Sequence, residues 1–255
     1  MKLLAITRAV GPALARCELT FLAREPIDVD RARLQHAAYH DALRRAGAEV
    51  ETLPAEPDLP DSVFVEDTAV VLDAVAIITR PGAESRRGEV ASIARALARY
   101  RTLARIDPPA TLDGGDVLRV GREIFVGRSS RTNAAGIAQL AALAGRHGCR
   151  VTPVDVRGCL HLKSAVTAID DETIVINRTL LDAAPFRRFR ALDVDPAEDA
   201  AANVLALGGI VHVSARFPRT RAAIDAAGFE TLALDLSELE KAEGALTCGS
   251  LVFRA

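Results

Sequence analysis

The chain has 255 residues, of which 49% are hydrophobic and 26% charged, and its formal net charge is −2. This length allows one or two domains and is sufficient to bury a substantial core. The near-neutral charge and the absence of a Lys/Arg block argue against a nucleic-acid partner.

The N-terminal segment MKLLAITRAVGPAL is apolar only briefly, because Arg8 and Pro12 interrupt it. It is therefore too short for a signal peptide, and no later run of apolar residues is long enough to span a membrane. We expect a soluble, cytoplasmic protein without a membrane partner. The next segment, DRARLQHAAYHDALRRAG (30–47), is amphipathic and predicts a helix that ends at Gly47.

The rest of the chain repeats a pattern of paired apolar runs that are rich in Val, Ile and Leu, as strands are. The runs lie at 62–80, 116–128, 164–178, 201–215 and 245–255. Turn residues at 120–123 and 170–173 predict hairpins. The first four pairs are each followed by a segment with helical periodicity, such as those at 85–100, 132–148 and 219–228.

Five hairpin-plus-helix units, spaced roughly 40 to 50 residues apart, indicate a repeat architecture in which the units must pack on one another. Five units that close on a centre would form a propeller-like ring with the helices outside and strand ends near the middle. An open mixed α/β sheet fits the same pattern, and periodicity does not separate the two. No linker divides the chain, since the Pro-rich stretch 53–62 reads as one surface loop. We therefore expect a single domain over 1–255.

Three acids stand in or beside the strand-like run DSVFVEDTAV: Asp61, Glu66 and Asp67. The two-residue period of a strand would place Glu66 and Asp67 on opposite faces. Carboxylates within such a run are unfavourable to bury unpaired. The segment is therefore either a solvated strand edge or a pocket for a cation, and guanidinium is the cation whose donors match carboxylates best. A metal is a third option, although no histidine lies nearby at ligand spacing.

Two further segments carry residues suited to proton transfer. TLDGGDVL places Asp113 and Asp116 around a Gly-Gly pair, which is either an ordinary turn or a site where Asp113 orients a histidine. GCLHLKSAVT places His161 between two leucines at the approach to a strand. Such a histidine is often structural, yet an imidazole with an ordinary pKa near neutrality also suits a proton shuttle.

The four cysteines are scattered and contain no CxxC pair, which argues against a zinc site and against a disulfide framework. Cys248 comes just before Gly249, at the start of the last apolar run, and it is the best candidate for a nucleophile. Arg86 and Arg131 lie near predicted helix starts, where a cation is favourable only if it faces a carboxylate. Solvated arginines are the alternative reading.

Six motifs, taken together and in this order, resemble those of the dimethylarginine dimethylaminohydrolases, a branch of the guanidino-modifying (pentein) superfamily. They are DSVFVED, ITRPGAESRRGE, LDGGDVL, GRSSRTNAAG, HLKS and LTCGS. The resemblance implies an α/β fold, namely a five-bladed propeller of ββαβ-type units with pseudo-fivefold symmetry. It also implies hydrolysis of N-omega-methylated arginine to citrulline plus dimethylamine or methylamine, through a covalent cysteine intermediate and without a cofactor.

The resemblance assigns roles to individual residues. It implies that Cys248 is the nucleophile, that His161 is the general acid and base, and that Asp113 pairs with His161. It implies no metal ligand. Substrate-binding roles fall on residues for the guanidinium (Asp67, with Glu66 beside it), for the α-amino group (Asp61), for the α-carboxylate (Arg86 and Arg131) and in a lid loop (Leu19).

One position departs from the family pattern. Relatives usually have Asp-Gly four to five residues before the cysteine, whereas this chain has Glu243-Gly244. The shape of the loop before Cys248 is therefore open.

Three other functions remain open alongside the methylarginine hydrolase. An arginine deiminase would use the same catalytic set on unmethylated arginine, although such enzymes carry a helical insertion for which this chain has no room. A non-catalytic protein that binds cationic amino acids would need the acids and arginines but neither Cys248 nor His161. A metal-dependent hydrolase is the last alternative. The preferred methylated arginine and the oligomeric state are open, with a homodimer among the options.

Overall fold

A computed structural model describes residues 2–255 of the chain. Its strands are β1 (Leu3–Arg8), β2 (Glu49–Leu53), β3 (Ala69–Val71), β4 (Val75–Ile78), β5 (Thr102–Arg105), β6 (Val117–Val120), β7 (Glu123–Arg128), β8 (Arg150–Asp155), β9 (Val166–Ala168), β10 (Thr173–Ile176), β11 (Arg190–Asp193), β12 (Leu205–Leu207), β13 (Ile210–Ser214), β14 (Glu230–Leu234) and β15 (Leu251–Arg254). Its helices are α1 (Val29–Arg45), α2 (Val90–Leu97), α3 (Ala134–Gly145), α4 (Leu162–Ala165), α5 (Pro218–Ala226) and α6 (Ser237–Glu240).

The strands form five three-stranded sheets with one shared topology, in the orders β15-β1-β2, β3-β4-β5, β6-β7-β8, β9-β10-β11 and β12-β13-β14. In each sheet the middle strand is antiparallel to the first and parallel to the third. A parallel pair requires a crossover connection. Helices α1, α2, α3 and α5 provide it in four of the units.

Burial explains why the middle strands are almost continuously apolar. Strands β4 and β10 have the sequences VAII and TIVI, and every residue of both is buried. A strand that is covered on both faces cannot alternate apolar and polar residues. The edge strands β5 and β11, whose residues are half-buried or exposed, carry more polar side chains.

Five apolar clusters join the sheets in cyclic order. Leu4 packs with Ile78 between the first two sheets, and Ile77 packs with Ile124 between the next two. The third cluster joins the sheets of β7 and β10, and the fourth joins those of β10 and β13. The fifth cluster brings Ala5 of β1 together with Leu234 of β14, so that the last unit packs against the first.

Much of the predicted element order is confirmed. Helix α1 covers most of the predicted 30–47 segment, and its first turn is capped by Asp28, whose side chain accepts from the N–H groups of Asp30 and Arg31. The hairpin turns expected at 120–123 and 170–173 join antiparallel strands. Helix α3 lies within the segment predicted at 132–148, and α5 covers most of the segment predicted at 219–228, beginning one residue earlier at Pro218.

Three expectations about the elements were wrong. The pair at 164–178 is followed by a three-residue 3-10 helix, Ala184–Phe186, instead of an α-helix. The run 245–255 contains one strand, because 245–250 forms a turn and the neighbour of β15 is β1 from the other end of the chain. Residues Val65–Thr68 form a 3-10 helix instead of the start of a strand, so the two-residue period does not apply there.

No helix within residues 2–255 is both long enough and apolar enough to cross a membrane.

The pairing of the chain ends predicts a large stability effect at Leu4. This side chain is 2% exposed, and Leu4 is the register partner of Phe253. We expect Leu4→Ala to lower the free energy of unfolding by about 2–5 kcal/mol, because it leaves a cavity between two sheets. Leu34→Ala is the matched control, since Leu34 is 73% exposed. Equal urea midpoints for the two variants would refute the closure of the fold by β1 and β15.

Candidate active site

The candidate residues lie at equivalent positions in successive units, just before the first strand of each sheet. The 3-10 helix Val65–Thr68 precedes β3, and a second one, Gly114–Asp116, precedes β6. His161 stands at the start of α4, which leads into β9. Cys248 lies in the turn before β15. The shared topology therefore presents acids, imidazole and thiol from four different segments.

His161 lies between two carboxylates. Its Nε2 is 3.1 Å from Asp113 Oδ2 and 3.8 Å from Asp67 Oδ1, and all three side chains are buried. Asp113 also accepts a hydrogen bond from the Gly82 N–H (2.8 Å) through its other oxygen. The predicted pairing of Asp113 with His161 is thus present as a contact.

Gly115 allows this close arrangement. Its N–H donates to Asp67 Oδ1 at 2.8 Å. A Cβ at this position would lie 2.6 Å from His161 Nδ1 and 2.8 Å from Asp67 Oδ1. Only glycine lets the backbone approach both side chains, which explains the second glycine of the LDGGD motif.

Opposite charges determine the protonation states of His161 and Asp67. Burial alone would lower the pKa of His161, but the charge of Asp67 and the hydrogen bond with Asp113 outweigh it and raise the pKa to about 9. Burial likewise opposes ionisation of Asp67, yet His161 and Arg86 lower the pKa of that carboxyl to about 2. At neutral pH the site therefore holds an imidazolium beside a carboxylate.

Arg86 is enclosed by acceptors. Its guanidinium donates to Asp67 Oδ2 (2.5 Å), to Glu89 Oε2 (2.8 Å) and to the Phe64 carbonyl oxygen (3.0 Å). Arg86 belongs to the 3-10 helix Glu84–Glu89, and its side chain is buried. The arginine expected to meet a substrate carboxylate thus also ties Asp67 into the protein.

The Cys248 thiol is half-buried and lies on the turn that the carboxylates face. The Glu66 N–H donates to the Cys248 carbonyl oxygen at 3.1 Å. Burial raises the pKa of the thiol well above its ordinary value, and the charges of Glu66 and Asp67 raise it further. The resting side chain is therefore a neutral thiol under the negative potential of two acids.

Glu66 faces the turn of the cysteine. Its Oε1 accepts from Lys163 Nζ (2.5 Å) and its Oε2 from Thr247 Oγ1 (2.7 Å). The expectation that Glu66 and Asp67 point to opposite faces of a strand was wrong, since the 3-10 helix brings both carboxylates to the site. Glu66 secures the residue before Cys248, whereas Asp67 contacts His161 and Arg86.

Two residues that hold the cysteine turn were missed by sequence reasoning. Asn203 clamps Thr247, because its Oδ1 accepts from the Thr247 N–H (3.0 Å) and its Nδ2 donates to Thr247 Oγ1 (3.0 Å). The Tyr39 hydroxyl donates to the Leu246 carbonyl oxygen (2.9 Å) and lies 2.7 Å from Ser250 Oγ. Asn203 occupies the position before β12 that matches the other units, and this equivalence was the available signal.

The remaining predicted residues meet the segment Glu18–Leu22, which we call the lid segment. Asp61 accepts from the Glu18 N–H (3.1 Å), and Arg131 donates to Thr20 Oγ1 (2.9 Å). Leu19 is half-buried and packs against the core beneath the segment. Burial raises the pKa of Asp61, although Arg86 partly offsets this effect. The groups expected to bind the substrate amino and carboxylate groups thus contact the chain's own lid segment.

One group of side chains has the composition of a metal site. Asp67, Asp113 and His161 each offer a ligand atom within 4.8 Å of the others. The two carboxylates nevertheless already have partners, because Arg86 Nη1 contacts Asp67 Oδ2 and His161 Nε2 lies 3.1 Å from Asp113 Oδ2. A divalent cation would have to compete with both.

Comparison with known proteins gives a consistent family assignment. The family model described as arginine deiminase matches residues 55–206. An N(G),N(G)-dimethylarginine dimethylaminohydrolase of Streptomyces coelicolor is 44% identical over 98% of this chain and 96% of its own length. The enzyme of the same name from Pseudomonas aeruginosa is 36% identical over 89% of this chain and 90% of its length.

Solved structures agree with these relatives. A mutant dimethylarginine dimethylaminohydrolase from Pseudomonas aeruginosa, complexed with citrulline, superposes with a TM-score of 0.94 at 33% identity and covers 99% of this chain and 100% of its own. The N-terminal domain of ArgZ, a cyanobacterial arginine dihydrolase, shares the fold with a TM-score of 0.85 over 98% of both chains, at 17% identity.

The buried hydroxyl of Tyr39 predicts a measurable effect. We expect Tyr39→Phe to lower the free energy of unfolding by about 1–3 kcal/mol, because it leaves buried acceptors in the cysteine turn without a donor. Tyr100→Phe is the matched control, since the Tyr100 hydroxyl bonds the half-buried Glu51 away from the site. Urea unfolding of both variants checks this, and an equal loss in the two would contradict a special role for Tyr39.

Proposed function

Since the chain belongs to the dimethylarginine dimethylaminohydrolase family of the pentein superfamily, we propose that it hydrolyses asymmetric dimethylarginine and monomethylarginine. The products are citrulline and dimethylamine or methylamine. One observation carries the proposal: of two adjacent residues, Glu66 donates its N–H to the Cys248 carbonyl oxygen (3.1 Å), and Asp67 Oδ1 lies 3.8 Å from His161 Nε2. A flat cation that met this carboxylate would be placed between a nucleophile and a proton donor.

Asp67 retains acceptor capacity for such a cation. A carboxylate has about four acceptor positions, and Gly115 and Arg86 occupy one on each oxygen. We therefore assign the guanidinium to Asp67. Glu66, next to it in the same 3-10 helix, supports this position through its hydrogen bonds to the cysteine turn.

We assign the α-amino and α-carboxylate groups of the substrate to residues beside the lid segment. Asp61 would receive the α-amino group, and Arg131 with the remaining Nη1 hydrogen of Arg86 would receive the α-carboxylate. Leu19 would then lie over the bound amino acid. Asp61 and Arg131 already contact polar groups of the lid segment, and Arg86 contacts Asp67. Such charged side chains can form strong hydrogen bonds with the charged ends of an amino acid.

Arrival of the cation would start the reaction. The raised pKa of Cys248 keeps the thiol protonated in the free enzyme. A guanidinium on Asp67 offsets the two acidic charges and so favours the thiolate, whose proton leaves to solvent. The thiolate attacks the guanidinium carbon and forms a tetrahedral intermediate. Its collapse breaks the bond to the methylated nitrogen, which takes a proton from the His161 imidazolium.

Hydrolysis of the thiouronium intermediate completes the cycle. His161, now neutral, accepts a proton from water, and the hydroxide attacks the same carbon. Release of the Cys248 thiolate gives citrulline. Asp113 keeps the imidazole in place through both transfers and supports its cationic form.

The cyclic packing of the five units supports a finer description of the fold. We propose that 1–255 forms a single domain, a five-bladed α/β propeller of ββαβ-type units with pseudo-fivefold symmetry. The cluster that joins Ala5 to Leu234 would close the ring. We further propose a free small molecule as substrate, neither nucleic acid nor membrane as partner, and a reducing cytoplasm, which suits four free cysteines.

A citrulline assay tests the function directly. We expect citrulline from asymmetric dimethylarginine and monomethylarginine, and little from arginine. Cys248→Ser should lower kcat at least roughly a thousandfold, because a hydroxyl does not ionise in this site. Cys149→Ser is the matched control, since Cys149 is another half-buried free thiol that packs in a different apolar cluster. Faster turnover of arginine would indicate a deiminase, and no citrulline from any of the three would leave only a binding protein.

The raised pKa of His161 predicts the alkaline limb of the pH profile. As pH rises towards about 9, the imidazolium loses the proton that the leaving amine needs, so kcat should fall at saturating substrate. Asp113→Asn should move this limb to lower pH, because the bond that raises the pKa of His161 is weakened. A kcat that keeps rising to pH 10, in the wild type and in the variant, would exclude His161 as the general acid.

A further inference from the structure

Glu243 has an unusual backbone and an unusual set of partners. Its φ is 57°, and no other non-glycine residue within 2–255 has a positive φ. A side chain in this left-handed region is strained, which makes the residue a candidate for a specific role. Its Oε1 accepts from three successive N–H groups of the lid segment, those of Thr20 (2.9 Å), Phe21 (2.5 Å) and Leu22 (2.7 Å).

Three N–H groups that converge on one oxygen form an anion-binding concavity. The carboxylate fills it with charge-assisted bonds, which are stronger than neutral ones. Its other oxygen, Oε2, is buried without a hydrogen-bond partner. One oxygen of the half-buried Glu243 carboxylate is thus shielded from solvent, while the other contacts the lid segment.

The other end of Glu243 is fixed next to the nucleophile. Its N–H donates to the Glu240 carbonyl oxygen (3.0 Å), and the Gly244 N–H donates to the Leu239 carbonyl oxygen (3.0 Å), so both residues continue the end of α6. A Cβ on Gly244 would lie 2.2 Å from the Phe64 ring, so the backbone is tightly seated there. Glu243 thus joins the lid segment to the turn that carries Cys248.

Few other contacts hold this end of the lid segment. Phe21 and Leu22 are 50% and 49% exposed, so apolar packing contributes little. They form one wall of a cavity of about 400 Å³ that Leu160 and Ala245 also line. At the other end, the Glu18 N–H donates to Asp61 and the Ser85 hydroxyl donates to Glu18 Oε1 (2.6 Å). The Thr20 side chain, between the two ends, accepts from Arg131, which like Asp61 is assigned to the substrate. When the substrate takes over Asp61 and Arg131, the Ser85 hydroxyl still holds Glu18, and Glu243 remains as the tether of residues 20–22.

We propose that Glu243 is a positioning residue that holds the lid segment over the site during turnover, an inference that rests on the proposed hydrolase function. The carboxylate acts through the lid segment and does not touch the reacting atoms.

Glu243→Gly tests the tether, because glycine accepts the positive φ and removes only the side chain. We expect KM for asymmetric dimethylarginine to rise roughly tenfold while kcat changes less than about threefold, since the lid contributes to binding and not to bond breaking. Glu243→Gln, which keeps an acceptor without the charge, should fall between wild type and Glu243→Gly. Glu25→Gln, at an exposed neighbouring position, is the control.

A second readout needs no turnover. Alkylation of Cys248 by iodoacetamide in the free protein should be several-fold faster in Glu243→Gly, with alkylation of Cys149 in the same sample as the reference for global opening. Unchanged KM and an unchanged ratio of the two alkylation rates would overturn the tether. If the wild type makes no citrulline, the hydrolase function fails, and the alkylation ratio still decides whether Glu243 holds the lid segment.

Discussion

The buried carboxylate of Asp67 is the interaction on which the site depends. An isolated charge in this position would be strongly unfavourable, and three partners make it stable: the Arg86 guanidinium, the Gly115 N–H and the imidazolium of His161. Because the pKa of Asp67 lies near 2, this negative charge is permanent at neutral pH. It holds a proton on His161 and opposes loss of the proton from Cys248. A substrate cation beside Asp67 would weaken both effects. His161 would then release its proton more readily, and so would Cys248.

The fold serves this arrangement through repetition. Each unit begins with a short turn or helix that leads into its first strand, and the functional side chains stand in those turns. The two ends of the chain share one sheet, so the turn before β15 lies next to the unit that begins at Val65. The Glu66 N–H donates to the Cys248 carbonyl oxygen, and the Thr247 N–H donates to Asn203 Oδ1, so the cysteine turn is bonded to neighbouring units. Cys248 is thereby held by segments far apart in sequence.

The sequence was informative about chemistry and element order, and less so about backbone geometry. Asp113, His161 and Asp67 could be singled out because polar groups in apolar runs need partners, and the structure places them together. The direction of the Glu66 side chain could not be predicted, because it depends on the 3-10 helix Val65–Thr68, whose Glu66 N–H bonds to Cys248 in another unit. Asn203 could be found only through its equivalent position before β12. The positive φ of Glu243 left no signal in the sequence pattern.

Titration of the His161 imidazole by NMR in wild type and in Asp67→Asn tests the central role of this carboxylate most directly. Asparagine keeps the shape and the acceptor for the Gly115 N–H, and it removes the charge. Comparison with His161→Gln assigns the resonance. The account predicts that the pKa of His161, about 9 in the wild type, falls towards or below the ordinary value of about 6.5 in Asp67→Asn. A pKa that stays near 9 in the variant would show that Asp67 does not organise the site.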